Sequence, residues 1–327
     1  MQGRSLRVTL YTGAAALVLL LGALLWYSHV FGAPGTDTAT QAVVITPDER
    51  MDDIAATLQY RGLVRNEWAF RLAYLRAAAG HGIRPGGYEI SPSMDAWTVA
   101  TTLTRSPYLS WVVIPPGLRS EQIADLLADT LSWTNVERAE WMAIATGTPG
   151  YGEGTYYPDT YLIPSDQPPA QVAERLHGRF AEIYQPYADE AAQENVKWAS
   201  VLTVASLIER EAAGPDMKLI SGVIWNRLRK NMALQIDATL QYIKGNEANG
   251  WWPVVLSKDK YLDSPFNTYQ HAGLPPNPIA TPSLAAVDAA LNPEITKCLY
   301  YLHDNNGQIH CSPNYAGQLS NVNKYLK

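Results

Sequence analysis

At 327 residues with 47% hydrophobic content, the chain is long enough for about two domains with sizeable cores. Its net charge is −6 and no dense Lys/Arg tract occurs, so it lacks the basic footprint that nucleic-acid phosphates require. The 10 Trp and 19 Tyr outweigh 4 Phe, a bias that suits neutral sugars but is shared by any interface.

Residues Val8 to Tyr27 carry no charge. As a helix they rise about 30 Å, the thickness of a bilayer's hydrocarbon core. Arg4 and Arg7 precede the run, and no Lys or Arg follows until Arg50. That bias places residues 1–7 in the cytoplasm, a single transmembrane helix at 8–28, and the remainder outside. A cleaved signal peptide would have a shorter apolar stretch ending in a small-x-small site. Here Phe31 stands at −3 to Ala33 and Pro34 follows, so a retained anchor is expected. Gly32–Thr38 reads as a small-residue linker within 29–40.

Two segments then match at an offset of 69 residues. Val43-Val44-Ile45-Thr46-Pro47 leads into Arg50 and Ile54–Leu58, and Val112-Val113-Ile114-Pro115-Pro116 leads into Arg119 and Ile123–Leu127. Each reads as strand, Pro-containing turn and amphipathic helix. Two copies are too few for a solenoid. A strand at Gly86–Ile90 and a helix at Ala96–Leu103 complete a small α+β module over residues 41–107. Residues 108–327 form a larger mixed α+β domain with helices at 120–131, 135–146, 168–186, 197–213, 215–230 and 282–291. Strand and loop fill 232–281, and a hairpin occupies 297–313.

Gly152–Tyr161 crowds Glu153, Asp159, Tyr156, Tyr157 and Tyr161 into one loop, a composition suited to a sugar-binding wall. It suits equally a turn whose Asp and Thr satisfy backbone donors. The helix at 197–213 is almost wholly apolar or small up to Glu209, whose one-turn neighbours are Ala205, Ser206, Ala212 and Ala213. Burial of that carboxyl without a charge partner would raise its pKa, as a general acid near neutrality requires. The plainer reading is that Glu209 opens the polar end of a core helix. Asn226 closes the following helix. Gln235, Asp237 and Thr239 alternate with apolar residues, so a strand at 234–240 would put all three on one face. Asp237 is the candidate second carboxylate, or an ordinary exposed strand residue. Ser264–Tyr269 and Gly273–Ile279, rich in Pro and Gly, form a rigid loop that can offer Asn267, Tyr269 and backbone groups to a ligand.

Cys298 and Cys311 flank the turn-like His303–Asn306. If Leu302 pairs with Gly307 the two cysteines face each other on a hairpin and can form a disulfide; two small buried thiols are the alternative. No second His/Cys pair has ligand spacing, so no metal and no cofactor is expected. Gly-x-Ser-x-Gly, Walker and zinc-binding His motifs are absent, which weakens esterase, nucleotide-dependent and metallopeptidase readings.

Taken in order, Glu153-Gly154 with Pro158–Tyr161, Ala205–Glu211, Asn226-Arg227-Leu228, Leu234–Asp237, Ser264-Pro265 with Asn267–Tyr269, and Gly273–Pro276 resemble the YceG-like (MltG) family of endolytic murein transglycosylases. The resemblance spans nearly the whole chain and implies that the Gly87-Tyr88-Glu89 module is LysM-like. It implies Glu209, the first Glu of Ser-Leu-Ile-Glu-Arg-Glu, as the catalytic residue. Glu153, Asp159, Tyr161, Asn226, Gln235, Asp237, Asn267 and Tyr269 are the substrate-binding candidates. This chain departs from the family pattern at Pro115-Pro116-Gly117, at Gly307-Gln308-Ile309 and at Gly317-Gln318, where relatives show Pro-Glu-Gly, Gly-Gly-His and a later Glu-His pair.

The resemblance further implies cleavage of the MurNAc-β-1,4-GlcNAc bond of peptidoglycan strands with formation of 1,6-anhydro ends. It implies a single-pass protein of the bacterial plasma membrane that acts outside the cytoplasm and works beside peptidoglycan synthases. Two alternatives stand. One is a hydrolytic muramidase in which Asp237 or Glu153 activates water. The other is a non-catalytic scaffold that binds the wall.

Overall fold

The computed structural model describes residues 2–212 and 214–327, with residues 2–12 as backbone only. The side chains of Arg4 and Arg7, and Ala213 entirely, lie outside the described residues. The chain divides into two compact units: one runs up to Trp111 and takes in Leu162–Asp166, and the other comprises Val112–Tyr161 and Gln167–Lys327.

The first unit begins with α1 (Gln2–Phe31). Its Gly13–Phe31 segment has mean hydropathy 1.9 and, among the described residues, is the helix long and apolar enough to cross a membrane. The chain continues through β1 (Gln41–Ile45), α2 (Met51–Tyr60), α3 (Glu67–Ala77), β2 (Gly86–Ile90) and α4 (Ala96–Thr104). β1 and β2 pair antiparallel, from Gln41 opposite Ile90 to Ile45 opposite Gly86. The result is a β-α-α-β unit followed by one more helix. β3 (Leu109–Val113) and β4 (Thr160–Pro164) extend the sheet in the order β1-β2-β3-β4. Two glycines let β3 close on β2. A Cβ on Gly86 would overlap the Leu109 carbonyl oxygen, and one on Gly87 would stand 2.6 Å from Leu109 Cδ1. Helix α3, capped by Asn66 on the Trp68 and Ala69 amides, packs on α4 through Phe70, Tyr74, Val99 and Leu103, all essentially buried.

The stretch read as a linker is not slack. Gly32 N–H donates to Ser28 O, Gly35 N–H to Pro92 O, Ser93 N–H to Asp37 O, and Arg65 Nε to Ala33 O. Phe31 belongs to the unit's core.

The second unit opens with α5 (Ser120–Leu131) and α6 (Asn135–Gly147), the latter started by a Thr134/Glu137 capping box. The long α7 (Pro169–Gln193) runs through Pro186, well past the expected end at 186. Helix α8 (Trp198–Glu211) is the centre of the core, with every residue from Val201 to Ile208 buried. Burial of that many apolar side chains, about 1.5–3 kcal/mol each for the larger ones, fixes α8 firmly. Around it pack α7, α9 (Met217–Arg229) and α11 (Leu284–Leu291), whose alanines allow close approach to α8. Between α9 and α11 lie α10 (Asp237–Lys244) and a short 3-10 turn at Ser257–Tyr261.

The expected strand at 234–240 is therefore a helix entry. Gln235 has φ +55, which breaks an extended run, and Ile236 caps α10. Thr239 is not on a polar strand face but fully buried, its hydroxyl donating to Ile236 O and paired with the Thr268 hydroxyl.

The C-terminal hairpin, β5 (Tyr300–His303) with β6 (Ile309–Ser312), precedes α12 (Tyr315–Tyr325). Cys298 and Cys311 form a disulfide with Cα atoms 5.8 Å apart, but not in the expected register. Tyr301 faces Cys311 and His303 faces Ile309, so Leu302 meets His310 and not Gly307. The turn is longer than four residues because the Asp304 carboxylate accepts from the Asn306 and Gln308 amides and stabilises it.

Candidate active site

Helix α8 carries one ridge of residues, Ala199, Leu202, Ser206 and Glu209, along a single face. The segment 278–283 lies beside this ridge. Ser206 Oγ accepts from the Ile279 N–H at 3.1 Å, and Glu209 Oε2 accepts from the Ser283 N–H at 2.9 Å. Tyr184 Oη holds the segment from behind through Pro282 O at 2.8 Å. A second clamp joins it to the loop after β3: Gly117 N–H donates to Thr281 O and Thr281 N–H to Leu118 O. Gly117 has φ +81, and a Cβ there would stand 3.2 Å from Arg210 Nη1 and 3.9 Å from Glu209 Cγ. At that φ a side chain would be strained, so glycine suits the turn beside the carboxylate.

Glu209 is half-buried in the last turn of α8. Its Oε2 is held by Ser283, and among the described residues no protein group donates to Oε1. A carboxyl fixed by one oxygen and open at the other is arranged to exchange a proton with a ligand. The adjacent Arg210 turns away onto the face of Trp252, 3.9 Å from the ring centroid, and Trp252 Nε1 is fixed on Gln122 Oε1 at 2.9 Å.

Glu153 occupies a cavity of about 480 Å³ whose walls include Ser120, Glu121, Thr146, Tyr151, Tyr242 and Asn277. Ala199 and Leu202 of α8 also line it; Leu202 stands about 10 Å before Glu209 along the helix. The Glu153 carboxyl accepts from the Ser120 N–H at 3.0 Å and the Ser120 hydroxyl at 3.3 Å, with Tyr242 Oη at 3.4 Å. Burial, reinforced by the nearby Glu121, pushes its pKa from 4.5 to about 8 against the pull of Arg119 and the Ser120 hydrogen bonds. Burial thus favours its protonated form, which can donate a hydrogen bond into a cavity lined by hydroxyls, Asn277 and Glu121.

Asp237 lies on a different side of the unit's α8. It is exposed at the first position of α10, where Tyr269 Oη donates to its Oδ1 at 2.6 Å. It neighbours Glu211, which projects about 200° around α8 from Glu209. Burial raises the Glu211 pKa, opposed chiefly by the Tyr301 hydroxyl, which donates to Oε2 at 2.9 Å. Gln235 is exposed beside this pair.

The other candidates hydrogen-bond to protein groups. Asp159 Oδ2 pairs with Arg179 Nε at 3.3 Å, and Tyr161 Oη donates to Tyr157 O at 2.6 Å. Asn226 spends its amide on Thr296 O and Cys298 O, while the nearly buried Arg227 donates to Leu299 O and Leu234 O. Asn267 is fully buried, with its amide on Lys260 O and Leu262 O. The Glu153 cavity thus borders the α8 ridge that ends at Glu209, whereas Asp237 with Tyr269 neighbours Glu211. Sequence reasoning missed Ser283, Gly117, Arg210 and Glu211. Glu211 was visible as the second Glu of Glu-Arg-Glu, but nothing local to Ser283 signals a carboxylate acceptor.

Comparison with known proteins points to one family. A model of the YceG-like family matches residues 43–324. A Bacillus subtilis (strain 168) protein named endolytic murein transglycosylase is 28% identical over 319 residues, with 89% of this chain and 87% of that one aligned. A protein of the same name from Streptococcus pneumoniae serotype 2 is 26% identical, aligning 87% of this chain with 58% of that longer one. Among solved structures, a yceG-like protein from Listeria monocytogenes is similar with a TM-score of 0.63 at 26% identity, over 87% of this chain and 99% of that one.

Proposed function

The chain belongs to the YceG-like family, and on that footing we propose that it is an endolytic murein transglycosylase with Glu209 as its catalytic acid and base. The observation that carries the assignment is the Glu209 carboxylate itself. It stands at the end of a rigid apolar helix, tied through Oε2 to Ser283 and open at Oε1.

The bond cut is the β-1,4 link between MurNAc and GlcNAc. Glu209 gives its proton to the glycosidic oxygen as the C1–O4 bond breaks, which releases the GlcNAc hydroxyl and leaves oxocarbenium-like charge on MurNAc. The same carboxylate then takes the proton of the MurNAc C6 hydroxyl. O6 attacks C1 and closes the 1,6-anhydro ring, and Glu209 returns to its protonated form. No water is consumed and no second carboxylate is needed, unlike the paired-carboxylate scheme of hydrolytic glycosidases.

Glu153 binds sugar in its cavity rather than activating water, since a carboxyl with a pKa of about 8 is mostly protonated at neutral pH and makes a hydrogen-bond donor. Asp237, Gln235 and Tyr269 form a second polar patch for the glycan. The β-α-α-β unit serves as the LysM-like module, and α1 as a single anchor with its N-terminus in the cytoplasm.

Replacing Glu209 with Gln tests the reading. Anhydro-muropeptide formation, followed by mass spectrometry, should fall by at least about 10²–10⁴-fold, the range that general acid–base help supplies. The fold should be unchanged by circular dichroism. Undiminished anhydro product would overturn the assignment, and reducing-end products in the native enzyme would make it a hydrolase.

A further inference from the structure

The end of α1 and the folded part of the first unit share one aromatic cluster. Phe31, only 5% exposed, is a member of the unit's core. Its ring stacks on Trp97 at 5.7 Å and on Tyr27 at 4.9 Å, and lies 6.3 Å from Trp68. Trp97 Nε1 donates to Tyr27 Oη at 2.8 Å. The helix does not leave the apolar segment through a flexible tether; it runs into the module.

This has a metric consequence if α1 spans a bilayer, the reading on which the inference rests. With the outer edge of the hydrocarbon set at Tyr27, the twentieth residue counted from Val8, Phe31 is one helical turn further, about 6 Å along the axis. The headgroup layer beyond the hydrocarbon is itself about 5–8 Å deep. Trp68 and Trp97, in contact with Phe31, therefore fall inside that layer. Trp68 is 55% exposed and Trp26 and Tyr27 are about as open, although their fold gives them no reason to face water. Trp and Tyr at the hydrocarbon edge are the residues that settle at the headgroup level. Arg65, held by its Nε on Ala33 O just past Phe31, sets an exposed guanidinium at the same height, where lipid phosphates can accept from it.

We infer that the first unit rests in the headgroup layer of the membrane through an aromatic belt of Trp68 and Trp97, continuous with Trp26 and Tyr27 of the span. The module is then seated with a fixed face toward the lipid and does not swing on a leash.

The test uses the full chain, labelled with 5-fluorotryptophan, in phospholipid nanodiscs with and without gadolinium-chelating headgroups. Trp26→Phe, Trp68→Phe and Trp97→Phe identify the three fluorine signals. The seat predicts that Trp68 and Trp97 broaden several-fold with gadolinium, as Trp26 does. Broadening of Trp26 with sharp Trp68 and Trp97 overturns the seat and leaves the span standing. A Trp26 signal untouched by gadolinium headgroups and by spin-labelled acyl chains removes the span, and the seat with it.

Discussion

Ser283 and Glu209, 74 residues apart in sequence, meet through one hydrogen bond from the Ser283 N–H to Oε2, while the Ser283 hydroxyl caps α11 by accepting from Ala286 N–H at 3.2 Å. One residue thus has two separable duties. Ser283→Ala removes only the cap and should cost about 1 kcal/mol of stability with activity kept. Ser283→Pro, tolerated at φ −74, also removes the N–H. A hydrogen bond to a charged group is worth about 1.5–3 kcal/mol, so turnover should drop about 10- to 100-fold beyond the Ala variant with KM little changed. Equal turnover in the two variants would show that the N–H does not position the catalytic carboxylate.

Glu153 makes stability depend on pH in a stated direction. Its folded pKa of about 8 lies above the ordinary 4.5, so the folded state binds a proton that the unfolded state releases. The stabilisation is full below about pH 4.5 and is lost as pH rises through 8. Glu153→Gln, which stays neutral, should lack this decline, so the melting temperatures of the two proteins should separate progressively across that window. Parallel curves would show that the carboxyl is not held in its neutral form.

Asn226→Ala leaves the Thr296 and Cys298 carbonyls without their donor. Chemical denaturation should show a loss of about 1–3 kcal/mol. Turnover per folded molecule should stay near that of the native enzyme. A raised KM with unchanged stability would instead place Asn226 on the glycan.

The Cys298–Cys311 bridge closes a short loop across the C-terminal hairpin. Loops of this length gain about 3 kcal/mol from a crosslink. Cys298→Ser/Cys311→Ser, or reduction of the native protein, should lower the denaturation midpoint accordingly. An unchanged midpoint would mean that the hairpin is held without the crosslink, by hydrogen bonds such as those of Asn226, Arg227 and Tyr301.

The sequence disclosed the central helix and its carboxylates because both are local: a run of apolar and small residues that ends in Glu209-Arg210-Glu211. Strand–turn–helix order at 43–58 and 112–127 was equally readable, since Pro and the apolar period mark it. What escaped depends on distant partners. Alternation at Leu234–Leu240 fits a strand, yet Gln235 adopts φ +55 and Thr239 is buried because Thr268 supplies a hydroxyl. The hairpin register slipped from expectation because a single carboxylate, Asp304, organises a longer turn. The partners of Asn226 were likewise illegible, since its amide donates to the carbonyls of Thr296 and Cys298, about 70 residues away.

The 74-residue separation between Glu209 and Ser283 also bears on when the enzyme is armed. Helix α8 can form with α7 by contacts between neighbours in the chain, and the carboxyl is then already present. Any species in which segment 278–283 is undocked, however, carries that carboxyl with both oxygens loose and no wall beside it. Docking of segment 278–283, which closes a long loop, is therefore what completes the setting of the Glu209 carboxyl.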